Sequence, residues 1–151
     1  MPPRDRVLRG CAGRACLPIA RSFATFAGVG SLRFSIVYAD DDALVRDVVT
    51  QALVEEGVDV HACEGGAEAL ELCRQIGPDA VLLDLNMPDL DGLATARAVR
   101  RDPKVAHLRL VALTGRGTWE LRRKAIEAGF DEFLVKPVPV ATLIKALRPA
   151  A

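Results

Sequence analysis

The sequence predicts an α/β fold, an open sandwich in which helices cover both faces of a five-stranded parallel sheet. Three observations carry that prediction. From Phe34 onward, short apolar or β-branched runs alternate with segments of helical spacing every 20 to 30 residues, the pattern of right-handed βαβ units. The runs are nearly all apolar, as strands covered on both faces must be. Four of the five runs also end on, or lead directly into, polar residues that core packing does not require.

The first run, FSIVYA (34–39), is followed by Asp40, Asp41 and Asp42. Leu44, Val45, Val48, Val49, Ala52 and Leu53 then form one helical stripe, with Gly57 as its stop. VDVHA (58–62) is the second strand, and Ala69, Leu70, Cys73 and Ile76 mark a second helix ending near Gly77-Pro78. AVLLD (80–84) is the most hydrophobic strand, yet it ends in Asp84 and runs into NMPDLDG. Leu93, Ala96 and Val99 suggest a third helix. LRLVALT (108–114) precedes a fourth helix over Trp119 to Ala128, closed by Gly129. EFLVK (132–136) leads to a fifth helix carrying Val140, Leu143, Ile144 and Leu147.

A length of 151 residues fits one domain with a single good core, and neither repeats nor low-complexity segments interrupt it. The formal net charge of zero hides an asymmetry. Residues 1–33 hold six Arg against Asp5, a net of +5, whereas 34–151 hold fourteen Lys/Arg against nineteen Asp/Glu, a net of −5. The mildly acidic folded part argues against nucleic acid as a partner. Residues 1–33 match neither a packed element nor a clean signal peptide, since Arg21 interrupts their one apolar stretch; they read as a basic, disordered extension ahead of a domain at 34–151. Cys11, Cys16, Cys63 and Cys73 show no metal-binding spacing, so free thiols in a reducing cytoplasm are expected. No apolar stretch approaches the roughly 18 residues of a membrane span.

In open parallel sheets, ligands bind beyond the carboxyl ends of the strands. There the chain places Asp40 and Asp41, then Asp84 with Asn86 two residues on, then Thr114 and Lys136. Three converging carboxylates repel one another unless a cation intervenes, and a hard divalent ion with oxygen ligands, Mg2+ foremost, answers that need. Lys136 supplies a mobile positive charge and Thr114 a hydroxyl. This set suits phosphoryl transfer to a carboxylate, a chemistry of positioning and charge stabilisation, with Asp84 as the acceptor. Asp42 reads instead as the N-cap of the first helix, and Asp89 and Asp91 as turn residues before Gly92. His61 and His107 read as structural. Trp119 fits an interface anchor or a partly buried core residue equally well.

These residues resemble the receiver domains of two-component response regulators. YADDD, LLDLNMPDLDGL, VALTG and FLVKPV carry the resemblance, over about Phe34 to Arg148. It implies a flavodoxin-like (βα)5 sandwich of strand order 2-1-3-4-5. It implies that Asp84 accepts a phosphoryl group from a sensor histidine kinase or a histidine phosphotransfer protein. Asp41, the Asp84 side chain and the Asn86 carbonyl would hold Mg2+, with Asp40 contributing directly or through water. Lys136 would pair with the phosphoryl oxygens, ahead of a cis bond to Pro137. Thr114 and Phe133 would form the switch that biases the face of the fourth helix, fifth strand and fifth helix toward a downstream protein target. Such a domain is no enzyme beyond its own phosphorylation and dephosphorylation. Phe133 lacks the hydroxyl often found there, Gly115 replaces a common Ala, and Arg116 sits where relatives tune phosphate lifetime. The stretch from Thr114 to Val138 looks closest to receivers of hybrid sensor kinases, although no kinase or output segment is evident.

Two other aspartate- or phosphate-centred readings fail. A haloacid-dehalogenase-like phosphatase needs a second Asp where Asn86 stands and acids after Lys136, and flavodoxin-type flavin binding needs a Ser/Thr/Gly-rich loop after the first strand. The remaining rival is a phosphorylation-independent interaction module, or the detached receiver of a hybrid histidine kinase.

Overall fold

A computed structural model describes residues 34–87 and 91–148. The basic segment 1–33, with Cys11 and Cys16, lies outside the described residues, as does Asp89. The chain alternates β1 (Phe34–Ala39), α1 (Ala43–Glu55), β2 (Val58–Cys63), α2 (Gly66–Ile76), β3 (Ala80–Asp84), α3 (Gly92–Arg101), β4 (Arg109–Thr114), α4 (Trp119–Ala128), β5 (Glu132–Val135) and α5 (Val140–Leu147). The strands form one parallel sheet of order β2-β1-β3-β4-β5, the order the resemblance implies.

Alternation along the strands sorts the core into two layers. Val37, Ala39, Val81, Leu83, Leu110 and Ala112 pack against α2, α3 and α4. Ile36, Tyr38, Leu82, Val111 and Leu113 face the other way, against Leu53 of α1 and Leu143, Ala146 and Leu147 of α5. Burial on both sides holds for β1, β3 and β4. β5 departs from the expected pattern: as an edge strand it leaves Glu132 and Val135 exposed.

The Asp42 cap follows the sequence, whereas Asp91, expected to serve the turn before Gly92, is the N-cap of α3. Asp42 accepts from the N–H groups of Leu44 and Val45 at 3.0 and 3.2 Å, and Asp91 accepts from that of Ala94 at 2.7 Å, each satisfying donors that a helix start leaves open. Gly57, Gly77 and Gly129 take the left-handed conformation just past α1, α2 and α4, where a Cβ would be strained.

One expectation needs correction, and one open alternative closes. Leu44 and Val48, assigned to the buried stripe of α1, are 78% and 68% exposed, and the buried side chains are Thr50, Leu53 and Val54. At about 100° per residue, Leu44 and Leu53 fall roughly half a turn out of phase, so one flat interface cannot cover both. Trp119 is 76% exposed, which removes the core alternative for it.

Cys63 and Cys73 are buried thiols outside any disulfide; Cys63 Sγ donates to the Gly65 carbonyl at 3.6 Å, and burial pushes the Cys73 thiol up to about 12, leaving it inert at neutral pH. His61 Nε2 lies 3.4 Å from Asp59 Oδ2 and His107 is exposed. Among the described residues, no helix is long and apolar enough to cross a membrane.

Candidate functional site

Parallel strands deliver all their carboxyl ends to one edge of the sheet. Asp40 therefore follows β1, Asp84 closes β3, Thr114 closes β4 and Lys136 follows β5 within one neighbourhood. The backbone ties these ends together: the Asp40 N–H donates to the Cys63 carbonyl at 3.1 Å and the Lys136 N–H to the Thr114 carbonyl at 2.8 Å. The peptide bond between Lys136 and Pro137 is cis, as the resemblance implies.

Carboxylate oxygens of Asp40, Asp41 and Asp84 lie within 4.8 Å of one another. Asp40 and Asp84 are buried and Asp41 is exposed. Asp40 is the best-held of the three. Its Oδ1 accepts from the Asp42 N–H at 2.9 Å, and its Oδ2 accepts from the Tyr38 hydroxyl at 2.8 Å and from Lys136 Nζ at 2.9 Å. Arg46 of α1 donates through Nη1 to the Asp40 carbonyl at 2.7 Å and faces Glu64 at 3.6 Å, fastening the loop after β1 to the loop after β2. Burial and the neighbouring Asp40 carboxylate hold the Tyr38 phenol far above its usual range, so its O–H is a permanent donor.

Asp84 is held more loosely. Its Oδ1 accepts from the Asn86 N–H at 3.1 Å, and its Oδ2 lies 3.7 Å from Lys136 Nζ. Burial raises its pKa and the Asp40 carboxylate adds to the rise, while the Asn86 N–H and Lys136 oppose it. Asp84 is thus a carboxylate with few donors of its own, beside an ammonium and two more carboxylates. The donor set fits a hard divalent cation, because three clustered carboxylates supply the oxygen ligands and the charge that such an ion prefers.

Gly92 keeps α3 against this loop. A Cβ there would overlap the Asp84 carbonyl oxygen and stand 2.9 Å from Leu85 Cα, so only glycine lets the helix approach the end of β3 so closely.

The structure thus gathers Asp40, Asp41, Asp84 and Lys136 in one cluster. Asn86 joins through its backbone N–H, with an exposed side chain. Thr114 is fully buried, and its Oγ1 accepts from the Arg116 N–H at 3.2 Å. Phe133 is half-buried against the layer under α2, α3 and α4. Sequence reading missed Tyr38 and Arg46. The signal for each was faint: a phenol hydroxyl within a mostly apolar strand, and one arginine within an apolar helix start.

A family model described as the response regulator receiver domain matches residues 36–148. Curated relatives include the response regulator MprA of a Mycobacterium species, 36% identical over 113 residues that cover 75% of this chain and 48% of MprA. They also include the DNA-binding dual master transcriptional regulator RpaA of Synechocystis, 31% identical over 75% of this chain and 47% of RpaA. The chain spans about half the length of these curated relatives. Among solved structures, the chemotaxis protein CheY4 of Vibrio cholerae matches with a TM-score of 0.72 and 28% identity, over 76% of this chain and 96% of CheY4. The receiver domain of the sensor histidine kinase PA1611 of Pseudomonas aeruginosa, solved with a magnesium ion in its active-site cleft, matches with a TM-score of 0.71 and 26% identity, over 76% of this chain and 94% of that domain. With its fold, its acidic cluster and a family match across residues 36–148, the chain belongs to the response regulator receiver domain family of two-component systems.

Proposed function

We propose that the chain is a phosphoacceptor switch in a two-component phosphorelay, with Asp84 as the acceptor. The observation that carries this reading is the asymmetry within the acidic cluster. Asp40 is saturated with donors, while Asp84 keeps open oxygen positions 3.7 Å from the Lys136 ammonium. In the transfer, an Asp84 Oδ forms a bond to phosphorus as the P–N bond to a phosphohistidine breaks, and the electron pair leaves with the imidazole. Lys136 stabilises charge on the phosphoryl oxygens, and Thr114, at the end of β4, offers a hydroxyl donor. Asp41, the Asp84 side chain and the Asn86 carbonyl would hold Mg2+, with Asp40 contributing directly or through water. Bound there, the cation neutralises the charge that the carboxylates and phosphate concentrate.

The phosphodonor is a sensor histidine kinase or histidine phosphotransfer protein. Thr114 and Phe133 bias the readout, which passes through the face of α4, β5 and α5 to a protein target. Exposed Trp119, Ile126 and Val135, at 76%, 60% and 41%, support that face, since large exposed apolar side chains anchor interfaces. We place the domain boundary between residues 33 and 34, where β1 starts. The acidic balance of 34–151 supports a protein rather than a nucleic acid as the partner of this domain, acting in the cytoplasm.

Intact mass after incubation with acetyl phosphate, with and without Mg2+, tests the reading. The expected result is a Mg2+-dependent gain of one phosphoryl group that Asp84→Asn abolishes. No gain under any condition would leave a receiver fold that serves binding alone.

A further inference from the structure

Tyr38 carries a hydroxyl where the fold needs only apolar bulk. Its ring is fully buried in the layer of Ile36, Leu82, Leu113 and Leu53, and its O–H donates at 2.8 Å to Asp40 Oδ2. The same oxygen takes Lys136 Nζ at 2.9 Å. Asp40 is itself fully buried. A buried carboxylate that loses a charged partner is costly to leave without a donor. Lys136 Nζ is 2.9 Å from Asp40 but 3.7 Å from Asp84 Oδ2, so it must loosen its hold on Asp40 to meet a phosphoryl group on Asp84.

We propose that Tyr38 is a positioning residue of the phosphoryl-transfer site: its hydroxyl keeps Asp40 Oδ2 satisfied and so frees Lys136 to turn from Asp40 to the phosphoryl oxygens. The proposal rests on the phosphoacceptor reading of Asp84. Tyr38 touches neither the attacking oxygen nor the phosphorus and acts only through Asp40 and Lys136. Without its hydroxyl, Lys136 is the single donor on Oδ2 and is held there. The Asp42 N–H still fixes Oδ1, so cation binding is largely spared.

Tyr38 is the one tyrosine in the chain, so growth on 3-fluorotyrosine places a single fluorine beside this hydrogen bond. The full chain is followed by 19F NMR and intact mass as Mg2+ and then acetyl phosphate are added. The resonance is expected to move as the phosphoryl label appears and to return as the label is hydrolysed. In parallel, Tyr38→Phe is expected to label roughly 10-fold more slowly, the worth of one hydrogen bond to a charged group, while its Mg2+ Kd by calorimetry stays within about twofold. Loss of both Mg2+ binding and labelling would mark Tyr38 as structural support and overturn the proposal. So would labelling of Tyr38→Phe at the unsubstituted rate, or a fluorine resonance indifferent to the label. Should Tyr38→Phe fail to fold, the fluorine resonance decides alone. Absence of label on the unsubstituted protein is a separate outcome, which refutes the phosphoacceptor reading and this proposal with it.

Discussion

Asp84→Asn should make the protein more stable at neutral pH when no divalent cation is present. Asn matches the shape of Asp84 and still accepts the Asn86 N–H bond. What it removes is a charge that is 6% exposed and crowded by like charges. Carboxylate oxygens of Asp40 and Asp41 within 4.8 Å each repel Asp84 by about 3.5 kcal/mol at an effective dielectric constant of about 20. The Asp41 share falls by roughly half because that side chain is exposed and screened. Lys136 Nζ at 3.7 Å returns about 4.5 kcal/mol on the same scale. With the burial cost of the charge added, the variant gains roughly 1–2 kcal/mol, several degrees in Tm for a domain of this size.

The pH dependence gives a second handle on the same charge. Asp84 has an ordinary value of 3.8 and is raised in the folded state, so the folded chain binds that proton more readily than the unfolded one. Unsubstituted stability therefore falls as pH rises from the ordinary value through the folded one. The advantage of Asn is full above that window and gone below it. Urea unfolding followed by circular dichroism, in chelator at about pH 7.5 and about pH 3, measures both ends. Equal or lower stability of the variant at the upper pH, or a gain that persists at the lower, would refute the reasoning. Adding Mg2+ should narrow the gap, because the cation binds the unsubstituted folded state more tightly.

Lys136→Ala should remain folded but label from acetyl phosphate about 100-fold more slowly, the typical effect of losing one charge-stabilising donor, as followed by intact mass. Gly92→Ala should lose about 2 kcal/mol in urea unfolding, because the clash with the Asp84 carbonyl outweighs the preference of a helix for Ala. Arg100→Ala should lose about 3 kcal/mol in the same assay. The Arg100 guanidinium donates to the carbonyls of Gly129, Ala106 and Leu108 and to Asp131 at 2.7–3.0 Å, and Arg100→Lys should recover little, since an ammonium cannot fill that fork.

The sequence by itself determined the order of strands and helices, because hydrophobic periods of 2 and 3.6 are local properties of the chain. It also determined which residues stand at the strand ends. Since parallel strands bring those ends to one edge, Asp40, Asp41, Asp84 and Lys136 could be grouped before any distance was known. Glycine stops and the Asp42 cap were legible for the same reason: each depends on neighbours within four residues. Tertiary structure alone decided that Lys136 rests on Asp40 rather than midway to Asp84, that Tyr38 turns its hydroxyl onto the same oxygen, and that Arg100 gathers three carbonyls from two separate loops. It also decided that Leu44, Val48 and Trp119 face outward, since apolar residues around most of a helix do not say which arc the sheet will cover. Periodicity reports the face of an element, whereas hydrogen-bond partners and burial depend on what the rest of the chain brings within about 3 Å of it.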